Sequence, residues 1–143
     1  MMKGILIILI LISGLLKAQG GESNKIRLFT STIIEGTFNG NFEFGIGIGV
    51  NYNNKLSVSY QYLYSFDNYD YNGIELSMNF LSDDSQKNFG VGIKCGEYDN
   101  SFLIIKPFLS GIYWINNKMV LQVDISVRSF MPNATLHFLF YIN

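Results

Sequence analysis

His137, Ser126 and Asp124 are residue types that could together do chemistry. A Ser–His–Asp set can support acyl hydrolysis: the imidazole takes the hydroxyl proton and the carboxylate orients the imidazole. A hairpin around Met131 and Pro132 would bring His137 roughly opposite Asp124 and Ser126, with all three on one polar face. The same placement equally suits a hydrogen-bonded structural histidine. Metal chemistry is poorly supplied, because the chain holds one His and one Cys, so no metal site is expected. Cys95 alternates in step with Phe89, Val91 and Ile93 on an apolar face. There it reads as a small apolar filler rather than a reactive thiol, which needs an electropositive and accessible setting. Gly45, Gly47 and Gly49 lie inside an alternating run and lack the strand–turn–helix context of a phosphate loop. They read instead as a face that leaves room for bulky neighbours. No cofactor is expected.

The elements that must position these residues are strands. In Phe42 to Tyr52, Phe42, Phe44, Ile46, Ile48, Val50 and Tyr52 fall on one face, and Glu43, three Gly and Asn51 on the other. A strand sorts such a run by its period of two, whereas a helix scatters it and the glycines weaken it. The pattern recurs from Leu56 to Ser65, with Leu63 as the exception, and in Ile74–Phe80, Phe89–Gly96, Met119–Arg128 and Ala134–Asn143. Lys25 to Ile34 begins by alternating, with Arg27 and Ser31 on the polar side, and blurs at Ile33 and Ile34. Phe102 to Ile115 is apolar on both faces, and its Pro107, which cannot donate to a ladder, predicts a bulge or local break. Asn53-Asn54, Asp83-Asp84-Ser85 and Asn116-Asn117 fit tight turns. Gly36–Gly40, Phe66–Asn72, Tyr98–Ser101 and Ser129–Asn133 are the alternate connections. Eight strands of this length predict an all-β fold: an eight-stranded, antiparallel, up-and-down transmembrane barrel.

Alternation alone does not say which face is outside, since a soluble barrel also alternates. The polar face decides. It is rich in Gly, Ser, Asn and Gln with isolated charges, which suits the narrow interior of eight strands better than a water-facing exterior. The expected interior charges are Arg27, Lys94, Lys106 and Arg128 against Glu43, Glu75 and Asp124. Buried charges must pair, so near-balance predicts a salt-bridged plug. A narrow ion path through the same groups is the alternative. Aromatics make up 15% of the chain, and transmembrane barrels carry them in girdles at both interfaces. Tyr52, Tyr113, Trp114 and Tyr141 are placed at one rim, and Tyr62, Tyr64 and Tyr98 at the other.

Residues 1–20 read as a secretory signal peptide, leaving residues 21–143 as the barrel domain. Lys3 supplies a positive start, and Ile5–Leu16 is an apolar run too short to span a bilayer. Cleavage fits after Ala18 or Gly20. Without Lys3 and Lys17, eight basic residues face eleven acidic ones, so no basic stripe exists and nucleic acid is not an expected partner.

The chain resembles the small eight-stranded outer-membrane barrels of the OmpA-transmembrane and OmpX-like group. The resemblance rests on FEFGIGIGVNYNNKLSVSYQYLY from Phe42 to Tyr64 and on KPF from Lys106 to Phe108. The style of the chain is similar to exports of Bacteroidota. The resemblance implies the outer membrane of a Gram-negative bacterium, contact with membrane lipid and lipopolysaccharide, and passage through secretion and barrel-assembly machinery. It also implies a monomer. The terminal aromatics, Phe140 and Tyr141, sit slightly inboard of the end at Asn143, a departure from the group. Some small outer-membrane barrels modify lipid A, but the deacylases place His and Ser two apart on one strand, whereas Phe138 and Leu139 follow His137. A structural or surface-contact role therefore leads, with a lipid A acyl hydrolase and a narrow channel as alternatives. The loop from Phe66 to Asn72 interleaves aromatic and acidic residues and is the candidate recognition surface.

Overall fold

A computed structural model describes residues 26–37, 40–66, 70–80, 86–98, 102–128 and 131–142, with backbone alone for Phe102, Arg128 and Met131. The expected signal segment lies outside the described residues. Eight strands follow in order: β1 (Ile26–Thr37), β2 (Phe42–Tyr52), β3 (Leu56–Ser65), β4 (Tyr71–Phe80), β5 (Lys87–Tyr98), β6 (Phe102–Trp114), β7 (Met119–Arg128) and β8 (Met131–Tyr141). Each pairs antiparallel with the next, and β8 pairs with β1 to close the barrel. Closure joins the first strand of the sheet to the last, the condition for a sheet to sit in lipid.

The ladders fix the geometry of the barrel. Ile26 pairs with Tyr52, Tyr52 with Leu56, Leu56 with Met78, Met78 with Val91, and Val91 with Leu109. Leu109 pairs with Ile125, Ile125 with Ala134, and Ala134 with Gly36, so one circuit returns to β1 ten residues further along. With a rise of ~3.3 Å per residue and strands ~4.8 Å apart, that stagger tilts the strands by about 41° and sets a backbone radius of about 8 Å. An 11-residue strand such as β2 then stands about 27 Å tall, close to the ~25 Å apolar band of membrane barrels.

The period-two sorting now has a direction. Ile46, Leu103, Leu109 and Phe89 point outward and are 66%, 78%, 66% and 74% exposed. Ser, Asn, Gln, Glu and Lys side chains fill the inside. This inverts the arrangement of a soluble domain and matches a barrel whose solvent is lipid.

Several strand limits differ from those expected, and each difference has a local cause. β1 continues past Ile34 to Thr37, because Ile33 and Glu35 keep alternating inward although Ile33 is apolar. Leu63, the apparent exception in β3, also points inward, so the alternation is unbroken. Tyr71 and Asn72 belong to β4 rather than to a loop, paired with Tyr98 and Glu97. β8 begins at Met131, so residues 129–130 alone connect it to β7. No bulge forms at Pro107: it points outward and pairs with Ile93 in an uninterrupted ladder to β5. The missing donor coincides instead with the start of the β6–β7 ladder at Phe108. The Asn53-Asn54 turn is tight, with φ of 53° and 56°, a left-handed conformation that Asn tolerates.

Candidate functional site

Functional groups concentrate in the lumen, in layers. At the end carrying Ile26 and Tyr141, the inward residues Phe29, Ile112, Val120, Leu139 and Tyr141 form an apolar layer with Trp114 against it. Arg27 covers this layer, its guanidinium 4.1 Å from the Tyr141 ring centre and 5.6 Å from that of Trp114, and donates to the Asn117 carbonyl. Toward the opposite end, Ile33, Leu63, Tyr71 and Tyr98 form a second apolar cluster with Ile104.

The ion network includes two lysines. Lys94 Nζ lies 3.1 Å from Asp124 Oδ2 and 3.6 Å from Glu75 Oε2. It is 3.4 Å from Thr135 Oγ1, and Phe108 lies against it with 5.2 Å to the ring centre. Lys106 Nζ donates to Glu35 Oε1 at 2.7 Å, and the same carboxylate accepts from Asn133 and Thr135. Lys106 also lies 4.7 Å from the ring centre of Tyr71. Lys106 and Asp124 are both 0% exposed, so these pairs act in low dielectric, where complete partnering is required. Gln61 donates to Glu75 at 2.6 Å, Gln122 to Asp124 at 2.8 Å, and Tyr98 to Glu43 at 3.3 Å. Glycines make room for the bulky members. A Cβ on Gly92 would overlap the Phe108 ring, and one on Gly49 would stand 2.5 Å from Phe29 Cζ.

Of the residues expected inside, Glu43, Glu75, Lys94, Lys106 and Asp124 are buried there. Arg27 is not in their network; it caps the apolar layer at the rim, half-buried on two rings. The Arg128 side chain lies outside the described residues. Glu35 was missed by sequence reasoning. Its signal was present: counting in twos from Ser31 reaches Ile33 and Glu35, but apolar Ile33 masked the count. Among the expected girdle residues, Tyr62, Tyr64 and Tyr113 are exposed on the outer face and Tyr52 is half-buried. Tyr98 and Tyr141 are not in a girdle: both turn inward and are buried, and Trp114 stacks on Tyr141 at 5.4 Å. Strand parity is the reason, since each falls in register with inward neighbours.

The catalytic grouping does not assemble. His137 pairs across the ladder with Gln122, not with Asp124 or Ser126. Its Nε2 lies 2.8 Å from Asp124 Oδ2 and 3.3 Å from Lys94 Nζ. Ser126 sits opposite Asn133, on the far side of Asp124, and its Oγ meets no hydrogen-bond partner among the described residues. A nucleophile without a base in reach is not activated. Glu75, Asp124 and His137 bring ligand atoms within 4.8 Å of one another, a spacing that could hold a metal ion. Lys94 fills that role, however, with its ammonium 3.3 Å from His137 Nε2 and beside both carboxylates.

Comparison with known proteins bears on the fold. A structure described as "De novo design of transmembrane beta-barrels" aligns with TM-score 0.70 and 7% identity, over 81% of this chain and 95% of that one. The solution structure of the designed barrel TMB2.3 aligns with TM-score 0.71 and 9% identity, over 85% and 98%. The chain folds as a transmembrane-type β-barrel. A weaker likeness, TM-score 0.44 at 12% identity over 84% and 98% of the two chains, is to Neisserial surface protein A. No protein-family model matches the sequence, and no curated protein does.

Proposed function

We propose that this chain is a non-enzymatic, monomeric protein of a Gram-negative outer membrane, exported by its N-terminal segment and serving envelope integrity or surface contact. The observation that carries this reading is the closed lumen. Two apolar clusters lie toward opposite ends of a network in which Lys94 and Lys106 each meet a carboxylate, so both buried lysines are paired from within the barrel. The surfaces left for interaction are the apolar outer face and the rims. Membrane lipid and lipopolysaccharide are the partners that such a face fits, together with secretion and assembly machinery during biogenesis. At the rim opposite the chain termini, Asp70 accepts from the Ser65 amide at 3.2 Å and from the Tyr62 hydroxyl. These bonds fix one side of the connection between β3 and β4, which is the candidate contact loop.

Heat-modifiable gel migration of the membrane fraction tests the barrel, and planar-bilayer recording tests the plug. A shift on boiling with no steady conductance is expected. A protein confined to the soluble fraction overturns the membrane reading, and a stable single-channel conductance overturns the plugged one. Exchange of Phe66–Asp70 for Gly-Ser should lower cell adhesion if surface contact is the role.

A further inference from the structure

The outer face is not uniform. At the rim where the chain ends, the turn from β6 to β7 and the end of β8 frame an open recess of about 690 Å³, lined by Asn116, Asn117, Lys118, Met119, Phe140 and Tyr141. The Asn116 side chain accepts from the Lys118 and Met119 amides, which holds the turn, and the Lys118 side chain is exposed at its edge. Arg27 donates to the Asn117 carbonyl and adds positive charge behind the turn.

A second recess, of about 460 Å³, lies on the lipid-facing side and shares Phe140 with the first. Its floor is low because Thr30 and Thr32 are short where their neighbours Ile46, Ile48 and Tyr60 are long. The ladders give its course: Met119 pairs with Phe140, Phe140 with Thr30, Thr30 with Ile48, and Ile48 with Tyr60. The stagger of ten residues per circuit means that each step in this direction climbs away from the terminal rim. The two recesses adjoin at Phe140, on a line that starts at a cationic turn and rises diagonally into the apolar belt.

We propose that these adjoining recesses are a binding site for one anionic glycerophospholipid of the leaflet on the terminal side. Its phosphate lies at Lys118 and the Asn116–Asn117 turn, and one acyl chain lies over Phe140 in the trough above Thr30 and Thr32. Charge and shape agree: the cation stands at the open, polar end, and the trough beyond it is lined by apolar and hydroxyl-bearing side chains. The site rests on the membrane reading given above, because the trough opens to lipid only if the belt is in a bilayer.

Native mass spectrometry of the purified full chain tests it, with phosphatidylglycerol and phosphatidylcholine of matched acyl chains as probes. The folded barrel should retain one phosphatidylglycerol in preference to phosphatidylcholine. Lys118→Gln should weaken that preference about fivefold, the share of one basic side chain near an anionic surface. Thr30→Leu with Thr32→Leu, which fills the trough without adding polarity, should remove the retained lipid of either kind. Lys55→Gln, at the β2–β3 turn of the same rim, should leave retention unchanged. A barrel that shows heat-modifiable migration but holds the two lipids equally, in wild type and in Lys118→Gln alike, overturns the lipid site alone. A chain that shows no such migration overturns the membrane reading and the site with it.

Discussion

Replacing Glu35 by Gln tests the interior most sharply. Glu35 and Lys106 are 1% and 0% exposed and meet at 2.7 Å, and the carboxylate is also bonded by Asn133 and Thr135. Glu35→Gln keeps the volume and removes the charge, which leaves the buried Lys106 ammonium without the carboxylate it meets at 2.7 Å. Breaking a buried pair from one side costs about 3–5 kcal/mol, whereas an exposed pair is worth at most about 1 kcal/mol. The double substitution Glu35→Gln with Lys106→Met removes both charges and should recover most of the loss, since apolar replacement of a whole buried pair is near neutral. The assay is equilibrium unfolding in denaturant from lipid vesicles, followed by fluorescence of Trp114, the single tryptophan. A loss below ~1 kcal/mol for Glu35→Gln would show that water reaches the pair and would refute the sealed lumen. A double variant no more stable than the single ones would refute the pairing itself.

Gly92→Val puts carbon where the Phe108 ring lies and should destabilise the barrel by about 1–3 kcal/mol in the same assay. Ser126→Ala should change stability by less than ~0.5 kcal/mol, because the hydroxyl has no partner to lose. The lipid A mass spectrum of cells expressing Ser126→Ala should match that of wild type; an acyl change lost in the variant would revive the hydrolase. Leu109→Arg, on the lipid-facing belt, should cost about 2–4 kcal/mol in vesicles. A neutral Leu109→Arg would argue that this face meets water.

How much was legible in the sequence follows from what a period of two records. It records parity, and parity assigned Glu43, Glu75, Lys94, Lys106 and Asp124 to one face before any register was known. Parity failed where a residue's polarity disagreed with its side: Ile33, Leu63, Tyr98 and Tyr141 are apolar or aromatic yet point inward, and the first of them hid Glu35. A membrane barrel invites this error, because lipid excludes charge from the outer face while a packed lumen accepts apolar groups as readily as paired ions. Polarity thus locates inward positions only when the residue is charged. Register was a separate unknown. Parity places His137, Asp124 and Ser126 on one face, and only the pairing of His137 with Gln122 shows that the histidine reaches Asp124 and not the serine. The diagonal line of recesses lies further still from the sequence. It joins Met119, Phe140, Thr30, Ile48 and Tyr60, which are remote along the chain and are brought into line by closure of β8 on β1. The same closure that hides the ionisable groups therefore builds a lipid-facing feature with a charge at its mouth.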